Sequence, residues 1–166
     1  MKPVVVFYSY SGLTRRLAKD IALIVGGELR ELKPEKPYSF SYNTAVKEAR
    51  AEIEKGYCPP LLQGAESLGE TQVIFIGSPN WLKTFAPPIR TFLHQVDLRG
   101  KTIIPFCTHG GGGFGKMMEE YRTICQGSTV QEGLALKSAY DFDDLERWLR
   151  VLSVLDKALK SNVYNK

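Results

Sequence analysis

The sequence predicts an α/β protein in which a doubly wound parallel sheet of five strands carries helices on both faces. Short apolar runs alternate with helical patterns along the chain, an order typical of βαβ units and a parallel sheet. Residues 73–76 are apolar at every position, as expected of a strand covered on both faces. The 166 residues show neither a repeat nor an interdomain linker, so we expect a single domain over 1–166.

The first half of the chain predicts two strands and two helices. An apolar strand over 3–8 leads into a helix over 13–25, which has one apolar face. A short edge strand follows over 28–32. Residues 42–55 favour a helix but are mostly polar, so we expect either a solvated helix or a lid. The role of the long stretch 33–71 is left open.

The middle of the chain predicts the third and fourth strands, with a helix between them. The third strand covers 73–76. Pro87 and Pro88 open the helix, because proline in a first turn costs no hydrogen bond. The fourth strand covers 102–107, where Pro105 indicates a strand end or a bulge.

The last part of the chain predicts a helix, a strand and a long amphipathic helix. The helix covers roughly 116–125, and the fifth strand lies within 129–136. The final helix begins near Phe142, with Asp141 as its N-cap. Its apolar positions show the clearest 3.6-residue period in the chain and are Leu145, Trp148, Leu149, Leu152, Leu155 and Leu159.

Composition excludes several classes of protein. The formal net charge is +4, and the basic residues are scattered among acidic ones, which argues against a nucleic-acid partner. No apolar run approaches the ~20 residues that a membrane-spanning helix needs, and the N-terminus shows no secretion signal. Cys58, Cys107 and Cys125 lack metal-ligand spacing, so we expect reduced thiols in a cytoplasmic protein.

Three polar, glycine-bearing loops follow predicted strands, over 9–14, 77–84 and 108–115. Parallel strands of such a sheet end at one edge, where α/β proteins bind their ligands. The loop over 9–14 is rich in hydroxyls and precedes a helix, whose first N–H groups and dipole favour an anion. Taken alone, this segment also fits an ordinary helix cap.

The other two loops suit a flat heterocycle. Pro79, Asn80 and Trp81 place an aromatic ring beside an amide, and four successive glycines over 110–113 allow close approach to a ring edge. A phosphate at one end and a polar aromatic ring at the other describe FMN.

In these motifs the chain resembles the flavodoxin-like FMN-binding proteins. The resemblance lies in S-x-S-G-x-T after the first strand, G-S-P-N-W after the third, the Thr-His-Gly-rich loop after the fourth, and the amphipathic last helix. It covers nearly the whole chain and implies the strand order 2-1-3-4-5.

The resemblance also implies a cofactor site made of three groups of residues. The group that holds the phosphate is Ser9, Tyr10, Ser11, Gly12, Leu13 and Thr14. The group along the isoalloxazine ring and its N5 edge is Ser78, Pro79, Asn80, Trp81 and Leu82. The group at the pyrimidine edge is Thr108, His109, Gly110 and Gly111, with Gly112, Gly113, Phe114 and Gly115 completing the loop. No residue is assigned as catalytic or as a metal ligand.

Several side chains have two interpretations. Trp81 is either a flavin-stacking ring or a core aromatic, and its position in a polar loop favours the former. His109 is either a hydrogen-bond partner of the flavin or a loop histidine that contacts only backbone or water. Arg15 and Arg16 are expected on a solvated helix face, and Cys107 is expected to be buried.

The resemblance implies electron transfer by FMN, for which the protein supplies binding and tuning. Carriers of this kind are typically acidic whereas this chain is basic, so a small FMN-dependent NAD(P)H:quinone-type reductase is the alternative. A dinucleotide-binding module is a weaker one, because the glycine run over 110–115 also satisfies G-x-G-x-x-G. We expect a redox partner protein or a small-molecule acceptor, a monomer or a homodimer, and neither a nucleic-acid nor a membrane partner.

Overall fold

A parallel sheet organises the protein in the computed structural model, which describes residues 2–163 and the side chains of residues 2–152. The elements in chain order are β1 (Val4–Phe7), α1 (Leu13–Val25), β2 (Glu28–Glu31), β3 (Lys33–Pro34), α2 (Tyr42–Lys55), β4 (Leu61–Gln63), β5 (Val73–Trp81), β6 (Thr84–Phe85), α3 (Pro87–Gln95), β7 (Thr102–Thr108), α4 (Met117–Ile124), β8 (Thr129–Val130), β9 (Leu134–Leu136) and α5 (Phe142–Val163).

The strands follow the order β2-β1-β5-β7-β8. β9 also pairs with β7, on the same side as β8 but nearer the carboxyl end of β7. All these pairs are parallel. The fifth position of the sheet is therefore shared by β8 and β9, and the predicted order 2-1-3-4-5 is confirmed with its last strand in two pieces. β1 lies inside the sheet and is buried at all four positions, as an apolar strand between two neighbours should be.

Pro105 accounts for the interruption of the fifth strand. β7 runs through Pro105 and pairs along its whole length with β5. The carbonyl of Ile103 accepts a hydrogen bond from the Gln131 N–H, so alternate residues of β7, Pro105 included, face the fifth strand. Proline has no N–H to donate there. Pairing consequently stops after Val130 and resumes at Leu134.

Two apolar layers bury the two faces of the sheet. One layer joins β1, β5 and β7 to α1 and α5 through Leu17, Ile21, Leu145 and Leu149. The other joins the sheet to α2, α3 and α4 through Ala45, Ile89, Phe92, Met117 and Tyr121. Helices therefore cover both faces, as predicted.

The stretch 33–71 is structured rather than a bare loop. β3 and β4 form a small antiparallel pair, and α2 between them buries Ala45 and Ala49 against the protein. The predicted helix over 42–55 is confirmed, and it packs on the body of the protein along its alanine side.

The last helix begins where predicted. The Asp143 N–H donates to Asp141 Oδ1 at 2.7 Å, so Asp141 caps the helix. Leu145 and Leu149 are buried, and Trp148 and Leu152 pack partly buried against the same layer. Two predicted apolar positions, Leu155 and Leu159, lie outside the described side chains. Within the described part of the chain, every helix is too short or too polar to cross a membrane.

Candidate cofactor site

The loop over 9–14, which we call the phosphate end, leaves β1 and opens α1. Gly12 has φ 98°, a left-handed conformation that favours glycine, and its N–H donates to Ser9 Oγ at 3.1 Å. No side chain caps α1, and its first turn carries no acidic residue. The N–H groups of this first turn therefore remain available to an anion. Ser11 adds an exposed hydroxyl beside them.

Thr14 links the phosphate end to the loop over 108–115. Its Oγ1 lies 2.8 Å from Thr108 Oγ1, and both residues are buried. One hydroxyl donates within this pair, which leaves the other hydroxyl proton free to bond elsewhere. Thr14 and Thr108 were both predicted at the site, and the structure brings them together.

The segment over 77–84 differs from the predicted loop. β5 continues through Ser78, Pro79 and Asn80 to Trp81, turns at Leu82 and Lys83, and pairs with β6. A two-residue hairpin turn of this kind requires positive φ at both central residues, and Leu82 and Lys83 have φ 54° and 69°. The side chains that follow the third strand are therefore fixed on a hairpin.

Ser78 holds the base of that hairpin. Its Oγ accepts a hydrogen bond from the Ala86 N–H at 2.8 Å and donates to the Pro79 carbonyl at 2.8 Å. The residue is fully buried. The Ser78 hydroxyl therefore has no free hydrogen to donate to a cofactor, as its predicted place in the site would require.

Asn80 joins the hairpin to the glycine loop. Its Nδ2 donates to the Gly113 carbonyl at 2.7 Å, and its Oδ1 accepts from the Lys83 N–H at 3.0 Å. A Cβ at Gly112 would lie 3.4 Å from the same Nδ2. Both ends of the amide are thus used inside the protein, and Asn80 positions the two segments relative to each other.

Trp81 is the centre of an aromatic cluster. Its ring makes edge-on contacts with Tyr8, Tyr10 and Tyr38, with centroids 5.5, 5.5 and 5.0 Å apart. The Tyr10 hydroxyl donates to the Ser39 carbonyl at 2.7 Å, which ties the phosphate end to the residues before α2. Trp81 is half-buried. The buried part of its ring packs as a core aromatic, and contact of the exposed part with a flavin remains a prediction.

Buried phenols in this cluster stay protonated. Burial raises the pKa of Tyr8 well above its usual range. Burial and a hydrogen bond of 2.5 Å to Glu52 Oε2 raise the pKa of Tyr38 further. Burial also raises the pKa of Glu52. The cluster therefore adds no anionic phenolate beside the phosphate end at neutral pH.

The loop over 108–115 presents backbone to solvent. The His109 N–H donates to the Leu136 carbonyl at 3.0 Å. His109 Nδ1 accepts from the Gly111 N–H at 3.0 Å, so a neutral His109 carries its proton on Nε2. Gly110 and Gly111 are exposed, and a Cβ at either would meet nothing within 4 Å. The glycine run thus leaves open space at this edge.

Gly115 closes the loop against the hairpin. A Cβ there would lie 2.4 Å from the Lys83 carbonyl oxygen, and the residue has φ 56°. The same carbonyl accepts the Lys116 N–H at 2.7 Å. Only glycine allows this approach. Phe114, also predicted at the site, packs partly buried on the core. We call the hairpin over 77–84 and the loop over 108–115 together the ring end.

Some residues that build the site carried no signal in the sequence. Glu120 Oε2 accepts hydrogen bonds from Thr84 Oγ1 at 2.8 Å and from Arg90 Nη2 at 3.0 Å, and so ties β6 to α4 and α3. The hairpin turn lacks the Asn-Gly pair that usually marks one. β6 is only two residues long, so no alternating pattern marks it in the sequence.

The other singled-out residues lie at the margins of the site. Arg15 forms an ion pair with Glu31 at 2.5 Å, and Arg16 lies over the Tyr140 ring at 5.0 Å. Cys107 is buried as predicted, and burial raises the pKa of its thiol to about 12. It is therefore a protonated thiol at neutral pH.

Several solved structures share the fold of this chain. A candidate flavoprotein from Bacteroides uniformis is 29% identical, with TM-score 0.82, and the match covers 90% of this chain and 97% of that chain. One from Bacteroides eggerthii is 28% identical, with TM-score 0.78, covering 92% and 98%. A flavoprotein from Lactobacillus acidophilus, solved in complex with FMN, is 24% identical, with TM-score 0.74, covering 89% and 97%.

A comparison with curated proteins finds no match. The family model described as Flavodoxin, however, matches residues 2–152. This match confirms the predicted resemblance over nearly the whole described chain. The protein belongs to the flavodoxin family.

Proposed function

We propose that this protein binds FMN across its three loops and transfers electrons through it. The observation that carries the proposal is the joining of these loops into one surface by hydrogen bonds. That surface has an uncapped helix N-terminus at one end and an open glycine edge at the other. The Lactobacillus acidophilus flavoprotein, which shares the fold, was solved with FMN.

The donors at the phosphate end fit a phosphate monoester. The first-turn N–H groups of α1 and the exposed Ser11 hydroxyl are hydrogen-bond donors for an anion that carries up to two negative charges. No carboxylate lies in that turn to repel it. Gly12 allows the phosphate to approach the backbone closely. The residues we assign to the phosphate remain Ser9, Tyr10, Ser11, Gly12, Leu13 and Thr14.

The ring end fits a planar heterocycle that carries polar groups on its edge. Trp81 offers an aromatic surface, and His109 Nε2–H and the exposed glycine backbone offer donors and acceptors. When bound, FMN supplies one- and two-electron redox chemistry. The hairpin and the glycine loop, which Asn80 fixes relative to each other, would hold the ring.

A small reductase is the second candidate. It is favoured by the exposure of Gly110, Gly111 and Gly112, because an open edge allows a small substrate to approach. The family match supports FMN over the dinucleotide-binding alternative.

The first experiment is an absorbance spectrum of the purified protein before and after denaturation. We expect flavin bands, and release of FMN in a ratio of about one per chain. The FMN protein is then mixed with NAD(P)H and a quinone. Turnover would assign the reductase, and retention of FMN without turnover would assign the carrier. A colourless protein that also fails to take up added FMN would refute the proposal.

A further inference from the structure

The turn at the tip of the ring-end hairpin holds unfavourable residues. Leu82 and Lys83 are the only non-glycine residues with positive φ in the described part of the chain. L-residues with larger side chains adopt this conformation at a cost, and Asn-Gly would fit the turn without it. The neighbouring contacts of this turn use backbone atoms, the Lys83 N–H and carbonyl. A glycine at position 83 would make them equally well.

The contacts of this turn therefore do not require the two side chains that it carries. Leu82 and Lys83 are both exposed. Lys116 is exposed too, and its backbone lies beside the tip because its N–H donates to the Lys83 carbonyl at 2.7 Å. The tip and this neighbour thus carry one exposed apolar residue and two exposed lysines, at the margin of the ring end.

The charge at this tip is not neutralised within the protein. Neither Lys83 nor Lys116 takes part in an ion pair among the side chains that the structure describes. Glu120 is committed to Thr84 and Arg90. The nearby carboxylate is that of Glu119, which is exposed in the first turn of α4 and lines the same shallow cavity as Lys116. Two lysines against one free carboxylate leave the tip positive, in a chain of net charge +4.

The exposure of the tip favours a protein over a small molecule. Small ligands are mostly enclosed in concave sites, whereas Leu82, Lys83 and Lys116 are all exposed to solvent. An apolar residue rimmed by charges is typical of a contact between two proteins. Building on the proposed FMN function, we propose that Leu82, Lys83 and Lys116 form the docking contact for the acidic face of a redox partner protein.

Oxidised rubredoxin, a small acidic iron–sulfur protein, is the probe. It accepts one electron at its ferric iron, which becomes ferrous, from the chemically reduced FMN protein. Stopped-flow rates are measured from about 0.01 M to about 1 M salt, which shortens the screening length from ~30 Å to ~3 Å. We expect the rate with rubredoxin to fall about tenfold or more over this range, and the rate with basic cytochrome c to rise.

Charge reversal at the tip has a matched control. Lys83→Glu with Lys116→Glu should lower the low-salt rate with rubredoxin about tenfold and reverse its salt dependence. Lys2→Glu with Lys19→Glu changes the net charge equally. Lys2 precedes β1 at the amino edge of the sheet, and Lys19 is an exposed residue of α1, which covers the face of the sheet opposite to α4. This control should keep the salt dependence of the unaltered protein, and equal effects of the two pairs would overturn the proposal.

Leu82→Ala separates a protein partner from a small anion. Ferricyanide reports any change at the flavin itself, so Leu82→Ala should slow the reaction with rubredoxin several-fold more than the reaction with ferricyanide. If Leu82→Ala slows both reactions equally, or neither, protein docking is overturned. Leu82→Asn with Lys83→Gly should also weaken docking while raising the thermal unfolding midpoint. An unchanged or lower midpoint would show that Leu82 and Lys83 do not destabilise the turn.

Binding is measured separately from electron transfer. Each protein, with its FMN content determined first, is eluted by salt from immobilised rubredoxin. The tip variants should elute earlier than the unaltered protein and the control pair. A protein that holds no FMN would refute the proposed function, while its elution would still test docking. Equal elution of all variants would refute docking and leave the proposed function standing.

Discussion

The phosphate end and the ring end are built in different ways. The backbone turn of the phosphate end is set by neighbours in sequence: Gly12 adopts its left-handed conformation, Ser9 accepts its N–H, and α1 begins directly afterwards. Longer-range bonds of Tyr10 and Thr14 then join this turn to the rest of the protein. The ring end depends on hydrogen bonds between distant residues, such as Asn80 with Gly113 and Thr84 with Glu120. The comparison teaches that an anion site can be local, whereas a surface for a flat ring needs long-range contacts to fix its two sides.

Gly115→Ala should give the largest effect. Its Cβ would lie 2.4 Å from the Lys83 carbonyl oxygen, at φ 56°. We expect the free energy of unfolding to fall by about 2–4 kcal/mol, from overpacking and backbone strain together. Denaturant unfolding of the apoprotein measures it. Stability within about 0.5 kcal/mol of the original would mean that the two segments are not held together here.

Gly110→Ala is the matched control for that change. Its Cβ would meet open space, so the stability of the apoprotein should hardly change. The same methyl group should occupy space at the ring edge and weaken FMN and riboflavin equally. Full affinity for both ligands would place the ring elsewhere.

Asn80→Ala should give the second effect. It removes two hydrogen bonds, which leaves the Lys83 N–H without its partner and the Gly113 carbonyl with only the weak donor Cys107 Sγ at 3.5 Å. We expect a loss of about 1–3 kcal/mol in unfolding free energy, with weaker flavin binding because the two sides of the ring end separate. Asn80→Asp keeps the acceptor for Lys83 and should lose only part of the stability. Equal losses in both variants would contradict the bridging role.

Substitutions at Thr14 and Thr108 should have a smaller effect on the free energy of unfolding, and they test the coupling between the phosphate end and the ring end. Each Thr→Ser variant keeps the hydroxyl and is the control for the corresponding Thr→Ala variant. A double-mutant cycle on Thr14→Ala and Thr108→Ala should give a coupling energy of about 1 kcal/mol, since their hydroxyls share one buried hydrogen bond. Additive losses would show that the phosphate end and the ring end are energetically independent.

Tyr121→Phe should give the smallest effect, with the opposite sign. The Tyr121 hydroxyl, in α4, is the buried side-chain polar atom without a hydrogen-bond partner among the described residues. Removing it costs no hydrogen bond, so stability should stay unchanged or rise by up to about 1 kcal/mol. A clear loss of unfolding free energy would reveal a bound water at this hydroxyl.

Regular elements were predictable because their signals are local. The helix bounds Leu13–Val25 and Tyr42–Lys55 match the predicted ranges, and Pro87 and Pro88 open α3 as expected. Pro105 predicted an end or a bulge in its own strand, β7. The interruption lies instead in the neighbouring fifth strand, because the N–H that proline lacks would have bonded to that strand, about 27 residues further along the chain.

The site was predictable in its loops but not in its internal contacts. The hairpin at Leu82 and Lys83 was missed because neither residue favours the turn they form. Asn80 was predicted at the cofactor, yet its partner Gly113 lies 33 residues away, and no periodicity connects them. In the sequence Glu120 looks like any helix residue. Its role depends on hydrogen bonds from Thr84 of β6 and Arg90 of α3, which only the folded structure brings next to it.

The most direct test of the account is a titration of the apoprotein with FMN and, separately, with riboflavin, which lacks the phosphate. Quenching of flavin fluorescence reports each affinity. We predict one FMN per chain, bound much more tightly than riboflavin, and Ser11→Ala should weaken FMN by about 1–3 kcal/mol while leaving riboflavin unchanged. Equal affinities for the two ligands, or binding of neither, would contradict a phosphate held at 9–14 and with it the assignment of the FMN site.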